Sequence, residues 1–145
     1  MKKADSIETT NAIISINEEG IGHQYLKDNS ILDIPEQLEN LEAIIKVTGN
    51  KPTPFVISAG KNIIVTKDAR DRALRLEAVS PINANAIVVQ NLAYRLIAEF
   101  FVKVQKPKIP YKIFTDKESA YEWCRQFIKK QITEPWKRFN NKYLN

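Results

Sequence analysis

Residues 85–124, NAIVVQNLAYRLIAEFFVKVQKPKIPYKIFTDKESAYEWC, decide the architecture of this chain. NAIVVQ (85–90) has the uninterrupted apolar character of a strand covered on both faces. LAYRLIAEFFVKVQ (92–105) changes to helical spacing. Leu92, Leu96, Phe100 and Val104 form one ridge and Ala93, Ile97 and Phe101 the next, a stripe predicted to cover a sheet and still leave surface for a second contact. KPKIP is a stiff connector and YKIFT a strand. Thr115 with Glu118 reads as a capping box opening the helix DKESAYEWCRQFIKKQ (116–131), with Ala120, Trp123, Cys124, Phe127 and Ile128 on one face. Strands alternating with helices require crossover connections and parallel pairing.

The order extends upstream. NAIISIN (11–17) and IGHQYLK (21–27) flank EEG and read as a hairpin. In SILDIPEQLENLEAIIKVTGN (30–50), Asp33 and Glu36 make a capping box around an early proline. Leu38, Leu41, Ile44 and Ile45 give an apolar face, and Gly49 is placed to end the helix. PFVIS (54–58) is a strand closed by Gly60. IIVTKDARDRALRLEAV (63–79) runs from an extended stretch into a helix over 67–79, with Ala69, Ala73 and Leu76 on one face. The predicted order is β-β-α-β-α-β-α-β-α: an α/β fold with a four- to five-stranded mixed sheet, an N-terminal hairpin and then alternating helices and strands. One domain is expected over residues 1–131, followed by a basic aromatic tail over 132–145.

Composition bounds the function. The 145 residues are 43% apolar and 27% charged, the balance of a globular domain. Net charge is +5, unevenly spread: residues 1–50 carry 4 Lys/Arg against 9 Asp/Glu, 51–100 carry 7 against 4, and 101–145 carry 11 against 4. An acidic half balancing a basic half, within one molecule or between subunits, is the plainest reading; an acidic partner, RNA or a membrane surface is the sharper one. No apolar run reaches the roughly 18 residues of a membrane-spanning helix, and the N-terminus lacks the apolar core of a signal peptide. With one cysteine, Cys124, an intramolecular disulfide and a CxxC metal site are excluded. Together these features predict a cytoplasmic location.

The joint Thr66-Lys67-Asp68, with Arg70, is the candidate switch or anion site. Thr or Asp there serves first as a helix cap. A phosphate would also meet helix N–H groups, Lys67 and Arg70. The four glycines assemble no nucleotide loop: Gly20 and Gly22 lie at a hairpin turn, and GKN (60–62) lacks the rest of a P-loop. A lone histidine, His23, excludes a multi-histidine metal site, and Cys124 on a core-facing stripe behaves as a small apolar residue. Paired carboxylates such as Glu18 and Glu19 sit in a turn and read as solvated surface. No catalytic or metal-binding residues and no cofactor are predicted. In the tail ITEPWKRFNNKYLN (132–145), Trp136, Phe139 and Tyr143 lie on one side of a helical spacing among Lys137, Arg138 and Lys142. Docking on the protein's own body or on a second subunit is their expected use, ahead of nucleic acid.

Several stretches carry a resemblance: GIGHQYLKD, LENLEAIIKVTGNKPTPFVI, VTKDARDRAL and ANAIVVQNLAYRLIAEFFVKVQKPKIPYKIFTDKESAYEWC, together spanning about residues 11–130. The chain resembles the STAS-like, SpoIIAA-like fold of anti-sigma-factor antagonists. It is most similar to a family of small uncharacterised bacterial domains grouped with them. The resemblance implies a regulatory, non-enzymatic tendency. In the antagonists the loop before the second helix carries a phosphorylatable Ser or Thr within an Asp-Ser-Ser-Gly-like motif. This sequence has TKDAR there, with Thr66 its only hydroxyl and no glycine following.

The expected function is therefore a regulatory protein-interaction module. It would bind a protein partner or form a homodimer, with Phe101, Trp136, Phe139 and Tyr143 as candidate interface residues. The alternative is a protein that binds a small ligand (lipid, nucleotide or anion). Nucleic acid and membrane are not the expected partners.

Overall fold

The computed structural model describes residues 5–128. Three antiparallel strands come first: β1 (Ser6–Glu8), β2 (Ala12–Ile16) and β3 (Gly22–Leu26). Asn17 makes the β2–β3 turn. Its Oδ1 accepts from the backbone N–H of Glu19 and of Ile21, both at 2.9 Å, while Gly20 takes φ +93°.

The chain then alternates: β4 (Ile31–Leu32), α1 (Ile34–Thr48), β5 (Thr53–Ala59), β6 (Ile64–Val65), α2 (Lys67–Glu77), β7 (Ile82–Val88), α3 (Leu92–Gln105), β8 (Tyr111–Phe114) and α4 (Lys117–Cys124), closed by a 3-10 turn at Arg125–Phe127. The main sheet has six strands in the order β1-β2-β3-β5-β7-β8, parallel from β3 onward. It is one strand wider than expected because three residues, Ser-Ile-Glu, pair with β2. A second pair, β4 with β6, forms a short parallel ribbon. The last helix ends at Cys124 and tightens, short of the expected 131. The expected boundary at 131/132, and Trp136, Phe139 and Tyr143, lie outside the described residues.

Alternation along the strands gives the sheet two apolar faces. On one, Ala12, Ile14, Leu26 and Phe55 pack against Ala43 and Ile44 of α1. On the other, Ile21, Val56, Ala86 and Val88 pack against Ala120 and Cys124 of α4. Gly22 is required on this sheet: it pairs with Phe55 across β3–β5, and a Cβ there would lie 2.3 Å from the Phe55 ring. Tyr111 of β8 meets Phe101 of α3, ring centroids 5.7 Å apart, which puts α3 on the α1 side.

The caps of α1 follow the sequence. Asp33 and Glu36 form the reciprocal capping box, and Gly49 closes the helix at φ +64°. No helix among the described residues is long and apolar enough to cross a membrane.

Candidate functional site

The joint at Thr66 is built by two parallel strand–cap–helix units. Pairing of Leu32 with Val65 in the β4–β6 ribbon sets Asp33 and Thr66, the N-caps of α1 and α2, side by side. Thr66 Oγ1 accepts from the Ala69 N–H at 3.1 Å and donates to Asp33 Oδ1 at 2.8 Å. Asp33 Oδ1 also accepts from the Ile34 N–H at 2.8 Å, while Glu36 Oε1 accepts from the Asp33 N–H at 3.0 Å. Thr66 is therefore a half-buried cap locked to a second cap.

A phosphate on Thr66 would remove its donated bond and place its charge against the Asp33 carboxylate, a like-charge contact. The basic neighbours are engaged elsewhere. Lys67 pairs with Asp71 at 2.7 Å, which raises the lysine's pKa and lowers that of the carboxyl, and Arg70 donates to the Val65 carbonyl at 2.7 Å. Asp68 lies exposed in the first turn of α2. The structure brings Thr66, Lys67, Asp68 and Arg70 into one turn, but it directs the two cations along α2 and back to β6.

The reactive side chains are held in structural bonds. His23 Nε2 lies 2.7 Å from Ser58 Oγ and its ring meets Tyr121 edge-on at 6.3 Å. Burial, followed by the nearby Lys117 charge, lowers the imidazole's pKa and keeps it neutral at physiological pH. Cys124 Sγ donates to the Phe55 carbonyl at 3.6 Å, and burial pushes the thiol up to about 11. Such a thiol carries almost no thiolate at neutral pH.

Helix α3 keeps the surface that its wide stripe is expected to leave for a second contact. Its stripe does not cover the sheet. Leu92, Leu96, Ile97, Phe100 and Val104 point to solvent with exposures of 51 to 71%, and no residue of the helix is buried. Phe101, the described member of the expected interface set, turns inward onto Tyr111 and is half-buried. Beneath Phe101 lies a group of polar side chains. Tyr111 has its phenol pushed up to about 12, by burial first and the Glu77 carboxylate second, with a bond from Asn85 opposing. Asn85 is 5% exposed, and its Oδ1 and the Glu77 Oε2 find no partner among the described residues. Asn85 and Tyr111 share this face of the sheet with the paired Ile87 and Ile113, so the floor on the α3 side mixes polar and apolar groups.

The signal was present in the sequence. A helix apolar on more than one side needs more than one partner, and polar asparagines interrupt the strand before it.

On the opposite side of the sheet an open groove of about 840 Å³ lies between β8 and α4, lined by residues including Lys112, Phe114, Glu118, Trp123 and Arg125. Lys112 sits 5.7 Å above the Phe114 ring. Arg125 reaches Glu19 of the β2–β3 turn and Glu122, each at 2.8 Å, tying the end of α4 to the hairpin.

Comparison with known proteins agrees with the fold. Among solved structures, the chain is similar to an uncharacterized protein of the DUF3478 family with a SpoIIAA-like fold from Shewanella loihica PV-4. The TM-score is 0.56 at 15% identity, covering 86% of this chain and 98% of that one. At that identity the likeness is one of fold, and the sheet and helix order described above is SpoIIAA-like. No curated protein matches. The family model described as Domain of unknown function (DUF7793) matches residues 14–128, and the chain belongs to that family.

Proposed function

We propose that this domain is a regulatory protein-interaction module without catalytic activity, acting in the cytoplasm through the outward face of α3. The observation that carries the reading is the row of exposed Leu92, Leu96, Ile97, Phe100 and Val104 on one helix. Exposed apolar patches of this size mark docking surfaces on small domains. The non-enzymatic half of the reading is supported by His23 bonded to Ser58 and by the buried, protonated Cys124. The fold shared with a SpoIIAA-like protein agrees with it.

The test is affinity capture of the tagged full chain from native cells that also carry the untagged chain, wild type beside Phe100→Glu, read by mass spectrometry. The expected result is at least one protein, the untagged chain included, retained by wild type and lost by the variant. Identical lists would overturn the reading.

A second reading, a small-ligand-binding protein, is favoured by the groove between β8 and α4, where Lys112 and Arg125 flank the Phe114 and Trp123 rings. A non-covalent adduct retained in native mass spectra of the purified chain, and lost on Trp123→Ala, would support it over the first.

A further inference from the structure

We infer that the partner of the α3 face is a second copy of this chain, packed helix against helix and antiparallel across a two-fold axis near Ile97. The inference rests on the reading of α3 as an interaction surface and names its occupant.

Residue spacing suits helix-on-helix packing. Leu92, Leu96, Phe100 and Val104 recur every four residues, with Ala93 and Ile97 on the neighbouring row. Two such rows make the ridges and groove that let one helix interdigitate with an equivalent one, crossing at about −50°.

Area suits it as well. The five large side chains leave roughly 500 Å² of apolar surface in water, near the upper end of what a monomer exposes. Pairing the face with itself withdraws up to that area from each copy, up to about 1,000 Å² in total, the size at which a specific interface becomes credible.

Charge fixes the orientation. Along one border of the stripe run Arg95, Glu99 and Lys103, with Arg95 Nε 3.1 Å from Glu99 Oε2. In an antiparallel two-fold pair the same border of each helix meets itself, and position i faces a position reflected through the axis. An axis near Ile97 sets Arg95 of one copy opposite Glu99 of the other, twice. A parallel two-fold pairing sets this border against the opposite one, which carries Ala93, Ile97 and Phe101 and offers neither side chain a charged partner. The midpoint of the apolar stripe, between Leu96 and Phe100, falls within about a residue of that axis on the helix rise. The border is less suited to a membrane surface, which selects a polar face rich in unpaired Lys and Arg.

The test is the mass of the purified full chain by sedimentation equilibrium from 1 to 100 μM. Wild type should approach twice the 16.7 kDa chain mass. Phe100→Glu, at an exposed position, should weaken self-association by roughly 30-fold or more, the loss of a central aromatic anchor.

Orientation is read by charge reversal. Arg95→Glu alone and Glu99→Arg alone should each weaken the dimer, and mixing the two variants should restore it as a heterodimer, because each acidic pair then meets a basic one. That mixture carries no Arg95–Glu99 pair within either chain, so restored helix stability cannot explain it.

A monomeric wild type across this range overturns the inference. So does a dimer indifferent to Phe100→Glu, or a mixture that fails to associate. A wild type that is monomeric yet captures a different protein through α3 overturns the second copy while leaving the interaction module standing. A monomer that sediments with vesicles of phosphatidylcholine and phosphatidylglycerol in a Phe100-dependent way overturns both.

Discussion

Helices α1 and α3 lie on the same side of one sheet and use their apolar residues in opposite ways. α1 faces Ala12, Ile14, Leu26 and Phe55, and buries Ala43 and Ile44 against them. α3 has the richer apolar content yet buries no residue, and of its apolar stripe only Phe101 turns inward, onto Tyr111. The face a helix turns inward is decided by what the sheet offers, and its own periodicity only nominates candidates. One end of the domain is thereby stabilised within the chain, and the other leaves an apolar helix face open among the described residues.

The comparison breaks most visibly on two phenylalanines. Phe55 is fully buried under α1 and lies against Gly22. Phe55→Ala should cost about 3–5 kcal/mol in urea unfolding. Phe100→Ala in dilute protein should stay within about 0.5 kcal/mol. Equal losses at the two sites would mean that α3 is packed as α1 is.

Next in size is the joint between α1 and α2. Thr66→Ala removes the cap acceptor for the Ala69 N–H and the donor to Asp33, and should cost about 1–2 kcal/mol, with Thr66→Ser recovering most of it. Thr66→Glu should destabilise more than Thr66→Ala, since its carboxylate would crowd Asp33. A stabilising Thr66→Glu would revive the phosphate switch that the TKDAR position suggested.

A smaller effect is tied to pH. The His23 pKa is lowered in the folded chain, so the unfolded chain binds the extra proton as pH falls. Stability from this group is therefore complete above the ordinary histidine range and declines as pH drops below about 6.5. Thermal melts of wild type should show this decline, and His23→Gln should flatten it while keeping a polar contact for Ser58. An unchanged pH slope in the variant would show that other groups set it.

Much of this architecture was legible in residues. The capping box of Asp33 and Glu36, Gly49 after α1, Asn17 and Gly20 at the hairpin, and the buried face of Ala120 and Cys124 all stand where local chemistry puts them. Three features were not legible, each for a physical reason. β1 is three residues long, too short for a period-two pattern to register. The β4–β6 ribbon joins residues more than 30 positions apart, and only that pairing sets Thr66 beside Asp33. Which member of the α3 stripe turns inward depends on Tyr111, on a strand that follows the helix, and no local window contains that contact. At the candidate site, Thr66 as a cap could be read from its position. Phe101 could be read as apolar and helical, but not as the member of its stripe that faces inward.

The opposite use of α1 and α3 is tested most directly by side-chain footprinting of the two helices with a photogenerated carbene, at protein concentrations low enough to keep the chain monomeric. Heavy labelling is expected at Leu96 and Phe100 of α3 and near-background labelling at Ala43 and Ile44 of α1. Equal protection of Leu96, Phe100 and Ile44 at every dilution would contradict that contrast, because the apolar stripe of α3 would then be buried within its own chain.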